Sequence, residues 1–380
     1  EHPERLPDEP LPVFNRRLID FEISNGITEV KSYPEEITIS TTTRCNMEPP
    51  CVMCERNGRT KDEEYDLDPS ALEKIEHIFK HADRIYLHCG GEPLMTPMSF
   101  RIIESVQPPT RIIFNTNGAL FTEKIIRRVV DSHVVDVISF SLDAATEETY
   151  KKIRSANFNR VISNIKALIA YRNEKHRKNP LVLMNFCIFK RNVFEIPDYV
   201  KLAHSLGADG LDFSHLNQGF DWQQKREDYT FDYKYESVLN MENPEKHDEL
   251  VLKAYELGKS LNIPINFNGS PFLSVNNEFK AKARDELAEV IKNNRKCYAP
   301  WSRLVMDTDG RMRMCYFHNS EHETIGKIAS NSGKPYYIEG KSFSEVWNSR
   351  EAVSVREEFL KNGIARRCIT KNPCIFQNRL

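Results

Sequence analysis

The chain has 380 residues, 40% of them hydrophobic and 28% charged, a globular composition for one large or two smaller domains. Its 53 lysines and arginines stand against 55 aspartates and glutamates, a net charge of −2, so it lacks the basic excess that nucleic acid or a membrane surface selects. No run approaches the roughly 18 to 20 apolar residues of a membrane span, the first residues are acidic and Pro-rich, and a cytoplasmic protein is expected.

Residues 1–35 carry Pro3, Pro7, Pro10, Pro12 and Pro34 with little periodicity and read as an extended N-terminal arm. From residue 36 onward, β-rich runs alternate with helical patterns. Strands are expected at 36–41, 85–88, 111–115, 134–141, 181–189 and 210–214, and helices at 69–81, 123–131, 147–153, 161–171 and 196–205. Such alternation builds βαβ units on a parallel sheet, an α/β fold spanning 36–216. The region 217–293 opens on a polar stretch interleaved with Phe220, Trp222, Tyr229, Phe231, Tyr233 and Tyr235, too long for an ordinary connection. It reads either as a substrate loop or as an excursion whose rings pack onto the domain wall. Helical patterns and a short strand at 264–267 follow, and 294–380 form a small cysteine-bearing unit.

The nine cysteines are odd in number and unevenly spaced, which favours metal ligation over a disulfide framework. Cys45, Cys51 and Cys54 share the loop RCNMEPPCVMC after the first strand, stiffened by Pro49 and Pro50. Three thiolates without a nearby fourth ligand suit an iron–sulfur cluster with one open iron better than a closed zinc site, though zinc stays as the alternative. The strands that follow end in polar motifs. Gly90, Gly91, Glu92 and Pro93 follow the second, where two glycines admit a ligand to the backbone and a carboxylate can accept from an ammonium group. Asn117 and Gly118 close the third. Ser139, Ser141 and Asp143 alternate along the fourth and its end, with Arg154 in the next helix as a partner for a carboxylate. On the fifth, Asn185 and Cys187 share one face, and the thiol is either exposed to an interior ligand or a small packing residue.

In that order these motifs resemble the radical S-adenosylmethionine enzymes, across about residues 36–216. The resemblance implies a partial (βα)6 barrel in which Cys45, Cys51 and Cys54 hold a [4Fe–4S] cluster whose open iron binds the amine and carboxylate of S-adenosylmethionine. It assigns Gly90, Gly91, Glu92 and Pro93 to the methionine amine, and Asn117, Ser141, Asp143 and Arg154 to further cofactor contacts; Asn185, a polar residue on a strand face turned inward, is expected to bind the cofactor too. Five residues separate Cys45 from Cys51 where the family usually has three, as in rarer members. Met53 stands where an aromatic residue often covers the adenine, and can do so as a soft apolar contact.

Near the C-terminus, Cys297 and Cys315 flank an Asp309-Gly310 turn that predicts a hairpin, and Cys368 and Cys374 follow in CITKNPC. Four soft ligands in one unit fit a closed zinc site or a cluster. The first pair, with Gly-Lys-Ile at 326 and Phe-Ser-Glu-Val-Trp-Asn at 343–348, resembles SPASM and twitch extensions. That likeness implies a twitch-like domain over 294–380 with one auxiliary [4Fe–4S] cluster of redox rather than Lewis-acid character.

The reaction implied by the resemblance is hydrogen abstraction by a 5′-deoxyadenosyl radical from a carbon of the substrate. The rings and the Asp, Gln and Tyr side chains of the loop at 220–235 favour a small polar molecule, sugar-like or aminocyclitol-like, whose C–H faces stack on rings while its hydroxyls bond to those side chains. Epimerisation with Cys187 as hydrogen donor is the leading expectation. The alternatives are two-electron dehydrogenation of an alcohol or amine carbon through the auxiliary cluster, ribosomal-peptide modification, and a non-catalytic zinc protein. An electron donor such as flavodoxin or ferredoxin is the implied partner, with neither nucleic acid nor membrane.

Overall fold

The computed structural model describes residues 2–87, 90–216, 223–225, 230–269, 271–274, 297–315, 326–327 and 342–362. Among them no helix is long and apolar enough to cross a membrane. In chain order the strands are β1 (Glu36–Ile39), β2 (Arg84–Leu87), β3 (Arg111–Thr116), β4 (Val135–Ser141), β5 (Leu181–Ile188), β6 (Gly210–His215), β7 (Gln223–Lys225), β8 (Thr230–Asp232), β9 (Ile265–Asn268), β10 (Arg303–Met306), β11 (Arg311–Arg313) and β12 (Gly326–Lys327). The chain divides into two compact units, one of residues 1–44, 64–114 and 283–380, the other of 45–63 and 115–282.

In the first unit β1, β2 and β3 run parallel, and β1 also pairs in parallel with β10. The expected hairpin is present: β10 returns antiparallel as β11 through a turn in which Gly310 takes φ +80° and Asp309 accepts from the Arg311 amide at 3.1 Å. Gly310 supplies the left-handed conformation that a residue with a Cβ adopts only at a cost. The N-terminal segment departs from the extended arm expected for it. Leu11–Ser24 is a helix, with Pro12 in its first turn, where the missing N–H costs nothing. Its buried face carries Asn15, Leu18, Ile19 and Glu22, and the Asn15 amide bonds to the Tyr33 and His81 carbonyls at 2.8 and 3.2 Å.

The helix Arg350–Asn362 joins the same core through one buried cation. Arg356, fully buried, donates to the carbonyls of Pro300, Thr28 and Trp347 at 2.9–3.0 Å and lies over the Trp347 ring. Burial pulls its guanidinium down to about 9. Trp301 and Trp347 donate their indole N–H groups to Ile27 and Ser32, so rings on the C-terminal side cap backbone on the N-terminal side. Arg356→Met should therefore strip three carbonyls of their donor and lower unfolding free energy by about 2–4 kcal/mol in chemical denaturation. Arg127→Met, on an exposed helix face, should change it by less than about 0.5 kcal/mol.

The second unit is built on four parallel strands in the order β4, β5, β6, β9. Helices Glu123–Val130, Glu147–Ile153, Phe158–Glu174, Ile196–Leu206 and Pro244–Leu261 separate and cover them, and Thr122, Thr146, Asn157 and Asn243 cap four N-termini. Alternation along β5 sorts its faces: Val182, Met184, Phe186 and Ile188 are wholly buried, while Leu183, Asn185 and Cys187 take the other side. Phe186 packs against Tyr199 and Phe213, and Phe213 stacks on Phe267 of β9. The apolar face is thereby fixed, and the polar face is left for a ligand.

Candidate active site

That polar face lines a cavity of about 340 Å³ in the second unit. Register sets its rows: Ser141, Asn185 and Asp212 lie abreast on β4, β5 and β6, and Cys187, Ser214 and Asn268 lie abreast on β5, β6 and β9. Met53, Asn115, Ser139, Asp143 and Arg154 complete the lining.

Asp143 organises the mouth of β4. It is 2% exposed, takes φ +59°, and receives Arg154 on Oδ2 through Nε at 3.0 Å and Nη2 at 2.5 Å. Its Oδ1 accepts the Cys187 amide at 2.8 Å. Arg154 also points Nη1 at the Cys51 sulfur, 3.4 Å away. Burial works against the Arg154 charge, but the Asp143 carboxylate and the Cys51 sulfur together raise its pKa well above the usual guanidinium value. With Nε and one Nη committed to Asp143, the guanidinium keeps N–H groups for a further acceptor.

The cysteine loop is held by neighbours that the motifs do not include. Asn57 donates to the Cys51 and Cys54 carbonyls at 2.7 and 2.9 Å, and the Val52 amide bonds to Ile153, the residue before Arg154. Asn117 reaches the Cys45 sulfur at 3.7 Å and Asn46 at 2.8 Å. Burial pushes the Cys54 thiol up, and Cys45 adds to the shift. Among the described residues no three His, Cys, Asp or Glu side chains converge as ligands of one metal ion. Thiolates on different irons of a cluster lie further apart than the ligands of a single ion, so three thiols on a folded-back loop fit the cluster's donor set. A second observation fits S-adenosylmethionine: the Asn185 Oδ1, on the cavity wall, is buried without a hydrogen-bond partner among the described residues, and a cofactor hydroxyl or amine would satisfy it.

Met53, Ser141, Asp143, Arg154, Asn185 and Cys187 thus come together around one cavity, with Asn117 beside the cysteine loop. Gly90, Gly91, Glu92 and Pro93 lie in the first unit. There a Cβ on Gly91 would fall 2.0 Å from the Arg44 carbonyl oxygen, which explains the glycine, and the Glu92 amide donates to that oxygen at 2.7 Å. Cys297 and Cys315 are half-buried in the same unit, while Cys368 and Cys374 fall outside the described residues.

The aromatic stretch resolves into parts. β7 and β8 pair as a hairpin, and Phe231 and Tyr233 are buried against Val52, Ile153, Phe189 and Leu216, with Met53 and Cys187 packed on the cluster. These two rings take the wall-packing role, whereas Tyr235 is exposed under Lys190. Phe220, Trp222 and Tyr229 fall outside the described residues. The Tyr233 hydroxyl donates to the Met53 carbonyl and so ties the hairpin to the cysteine loop.

Residues 39–201 match the model of the Radical SAM superfamily. This stretch is a radical SAM domain. Its bounds take in the cysteine loop and the cavity residues on β4 and β5, and end before β6 and β9. The chain is 27% identical over 180 residues to the tungsten-containing aldehyde ferredoxin oxidoreductase cofactor-modifying protein of Pyrococcus furiosus, covering 46% of this chain and 49% of that protein. It is also 27% identical over 187 residues to a probable GTP 3′,8-cyclase of Saccharolobus islandicus, covering 48% of this chain and 57% of that one. The matched region thus spans about half the length of these relatives. The fold is shared with Streptococcus suis SuiB bound to precursor peptide SuiA, at a TM-score of 0.60 and 14% identity over 94% of this chain and 74% of that one. It is an α/β fold of parallel strands alternating with helices, as the motifs implied.

Outside the radical SAM motifs, one polar chain had no sequence signature. The His215 Nε2 lies 3.1 Å from the Nε2 of wholly buried His247, whose Nδ1 is 3.0 Å from Asp248, and Asp248 also accepts the Leu273 and Ser274 amides at 2.7 and 2.9 Å. Burial, with His247 alongside, drives His215 from 6.5 down to about 4, and burial lowers His247 as well. Both rings stay neutral in the fold while the unfolded chain takes up protons below its ordinary value. Stability should therefore fall as pH drops from about 6.5 towards 4. His215→Gln should flatten that limb relative to wild type in denaturation curves at stepped pH; an unchanged slope would remove His215 as its source.

Proposed function

We propose that this chain is a radical S-adenosylmethionine enzyme acting on a small polar molecule, sugar-like or aminocyclitol-like, and that it inverts a carbon centre. Cys45, Cys51 and Cys54 hold the [4Fe–4S] cluster. Met53, Asn117, Ser141, Asp143, Arg154 and Asn185 contact S-adenosylmethionine in the second unit. Together these groups supply a 5′-deoxyadenosyl radical able to remove hydrogen from an unactivated carbon. Cys297, Cys315, Cys368 and Cys374 hold an auxiliary cluster in a twitch-like region over 294–380, and a flavodoxin or ferredoxin supplies electrons.

The observation that carries the epimerase reading is the place of Cys187. Its side chain lines the same cavity as Asp143 and Arg154, its amide is fixed by Asp143, and Asn192 holds its carbonyl at 2.8 Å. Burial first, and the Asp143 charge second, push the thiol well above its usual range, so it keeps its hydrogen. A substrate carbon radical in the cavity would take that hydrogen atom as the S–H bond breaks and a C–H bond forms. The sulfur radical left behind regains one electron and one proton from the external reductant and solvent.

Anaerobic reconstitution followed by assay for 5′-deoxyadenosine tests the core of this reading. Replacing Cys45, Cys51 and Cys54 together by Ser should abolish its formation, and retained cleavage would refute the cluster assignment. With substrate in heavy water, wild type should place one deuterium at the inverted carbon. Cys187→Ser should still cleave S-adenosylmethionine and place none. An oxidised product without deuterium would instead identify dehydrogenation.

A further inference from the structure

The cavity has a wall that the radical SAM match does not reach. Asp212 and Ser214 of β6 and Asn268 of β9 face it from beyond residue 201. Two carboxylates line the cavity, and they differ in what they have left to offer. Asp143 is spent on Arg154 and the Cys187 amide. Asp212 has a neutral described partner, the Asn266 amide, which donates to Oδ1 at 2.7 Å and turns the carboxylate without cancelling its charge. The rest of the polar lining is made of amides and hydroxyls, among them Asn115, Asn185, Asn268 and Ser214, and of Arg154, which Asp143 engages.

We infer that Asp212 anchors the amine of a ring-shaped, hydroxyl-bearing substrate, with Ser214 and Asn268 meeting its hydroxyl groups. The inference rests on the radical SAM reading for what occupies the β4 side of the cavity. Electrostatics selects the substrate's charge at this wall: a carboxylate with no cationic partner among the described residues attracts an ammonium group. Register selects the substrate's position. Ser214 and Asn268 lie in the row of Cys187, one step along the strands from the row of Asp212, so a ring held at both rows lies across the thiol. Asp212 would thus act as a specificity-determining residue on the variable side of the site, while the family-matched strands carry the cofactor.

Calorimetric titration of the anaerobic holoenzyme, loaded with S-adenosylmethionine, tests this with two ring polyols of similar size. The probes are 2-deoxystreptamine, which carries amines, and myo-inositol, which does not. The aminated ring should bind at least about 10-fold more tightly, and Asp212→Asn should weaken it by about 10- to 100-fold with little change for inositol. Asp212→Glu, which keeps the charge, should recover part of the loss. Equal binding of the two rings, binding of neither, or an Asp212→Asn variant that binds the amine as wild type does would each overturn the subsite. Formation of 5′-deoxyadenosine by the same wild-type preparation separates the readings: present, it leaves the radical enzyme standing when the subsite fails; absent, it removes the radical enzyme itself.

Discussion

The buried pair of Asp143 and Arg154 is the constraint on which the second unit's site depends. Asp143 sits where β4 ends, in a left-handed conformation that an Asp tolerates because its short side chain can bond locally. From there its two oxygens reach the helix end at Arg154 and the β5 backbone at Cys187. Arg154 passes the constraint on to Cys51. Taking both charges out of water is costly, and the pair is tenable because each is hydrogen-bonded on several sides. Removing either partner alone would leave a buried charge on the other, a loss of about 3–5 kcal/mol, at the point that sets the distance between the cysteine loop and the Cys187 strand.

A consequence is a division of labour along the sheet. β4, β5 and the cysteine loop lie inside the radical SAM match, and there Asp143, Arg154, the Cys51 sulfur and the Cys187 amide are committed to one another. β6 and β9 lie outside it, and their cavity-facing groups are one amide, one hydroxyl and a carboxylate whose described partner is the neutral Asn266 amide. Rigid, mutually bonded groups suit a common cofactor that must be held in one pose. A less committed wall suits a ligand that changes between relatives, and relatives of this chain carry names as different as a GTP cyclase and a cofactor-modifying protein.

What the sequence disclosed, and what it hid, follows from the range of each interaction. The strand and helix alternation, the Asp309-Gly310 hairpin and the grouping of Ser141, Asp143, Asn185 and Cys187 on one face all come from local periodicity and turn chemistry. The helix at Leu11–Ser24 is masked in the sequence by its prolines, which read as breakers, although Pro12 falls in the first turn where it is harmless. Arg356 could not be found at all, since its three acceptors lie at Thr28, Pro300 and Trp347, far apart in the chain. The His215, His247 and Asp248 chain is hidden for the same reason. Asn57 was nearer to view, three residues after Cys54, where a side-chain amide can fold back on loop carbonyls.

The hairpin of β7 and β8 gives the division of labour its last element. Phe231 and Tyr233 were expected either at the substrate or in the wall, and they are in the wall, but of a particular place: the cluster that includes Val52 and packs Met53 and Cys187. An apolar cover on that side packs against the half-buried Cys187, and desolvation raises its thiol well above the usual range. The same tyrosine ties its hydroxyl to the Met53 carbonyl, between two of the loop's cysteines. One short hairpin therefore serves both ends of the reaction proposed for this cavity. It steadies the loop proposed to hold the cluster, and it lies against the sulfur from which, in that proposal, a substrate radical would take its hydrogen.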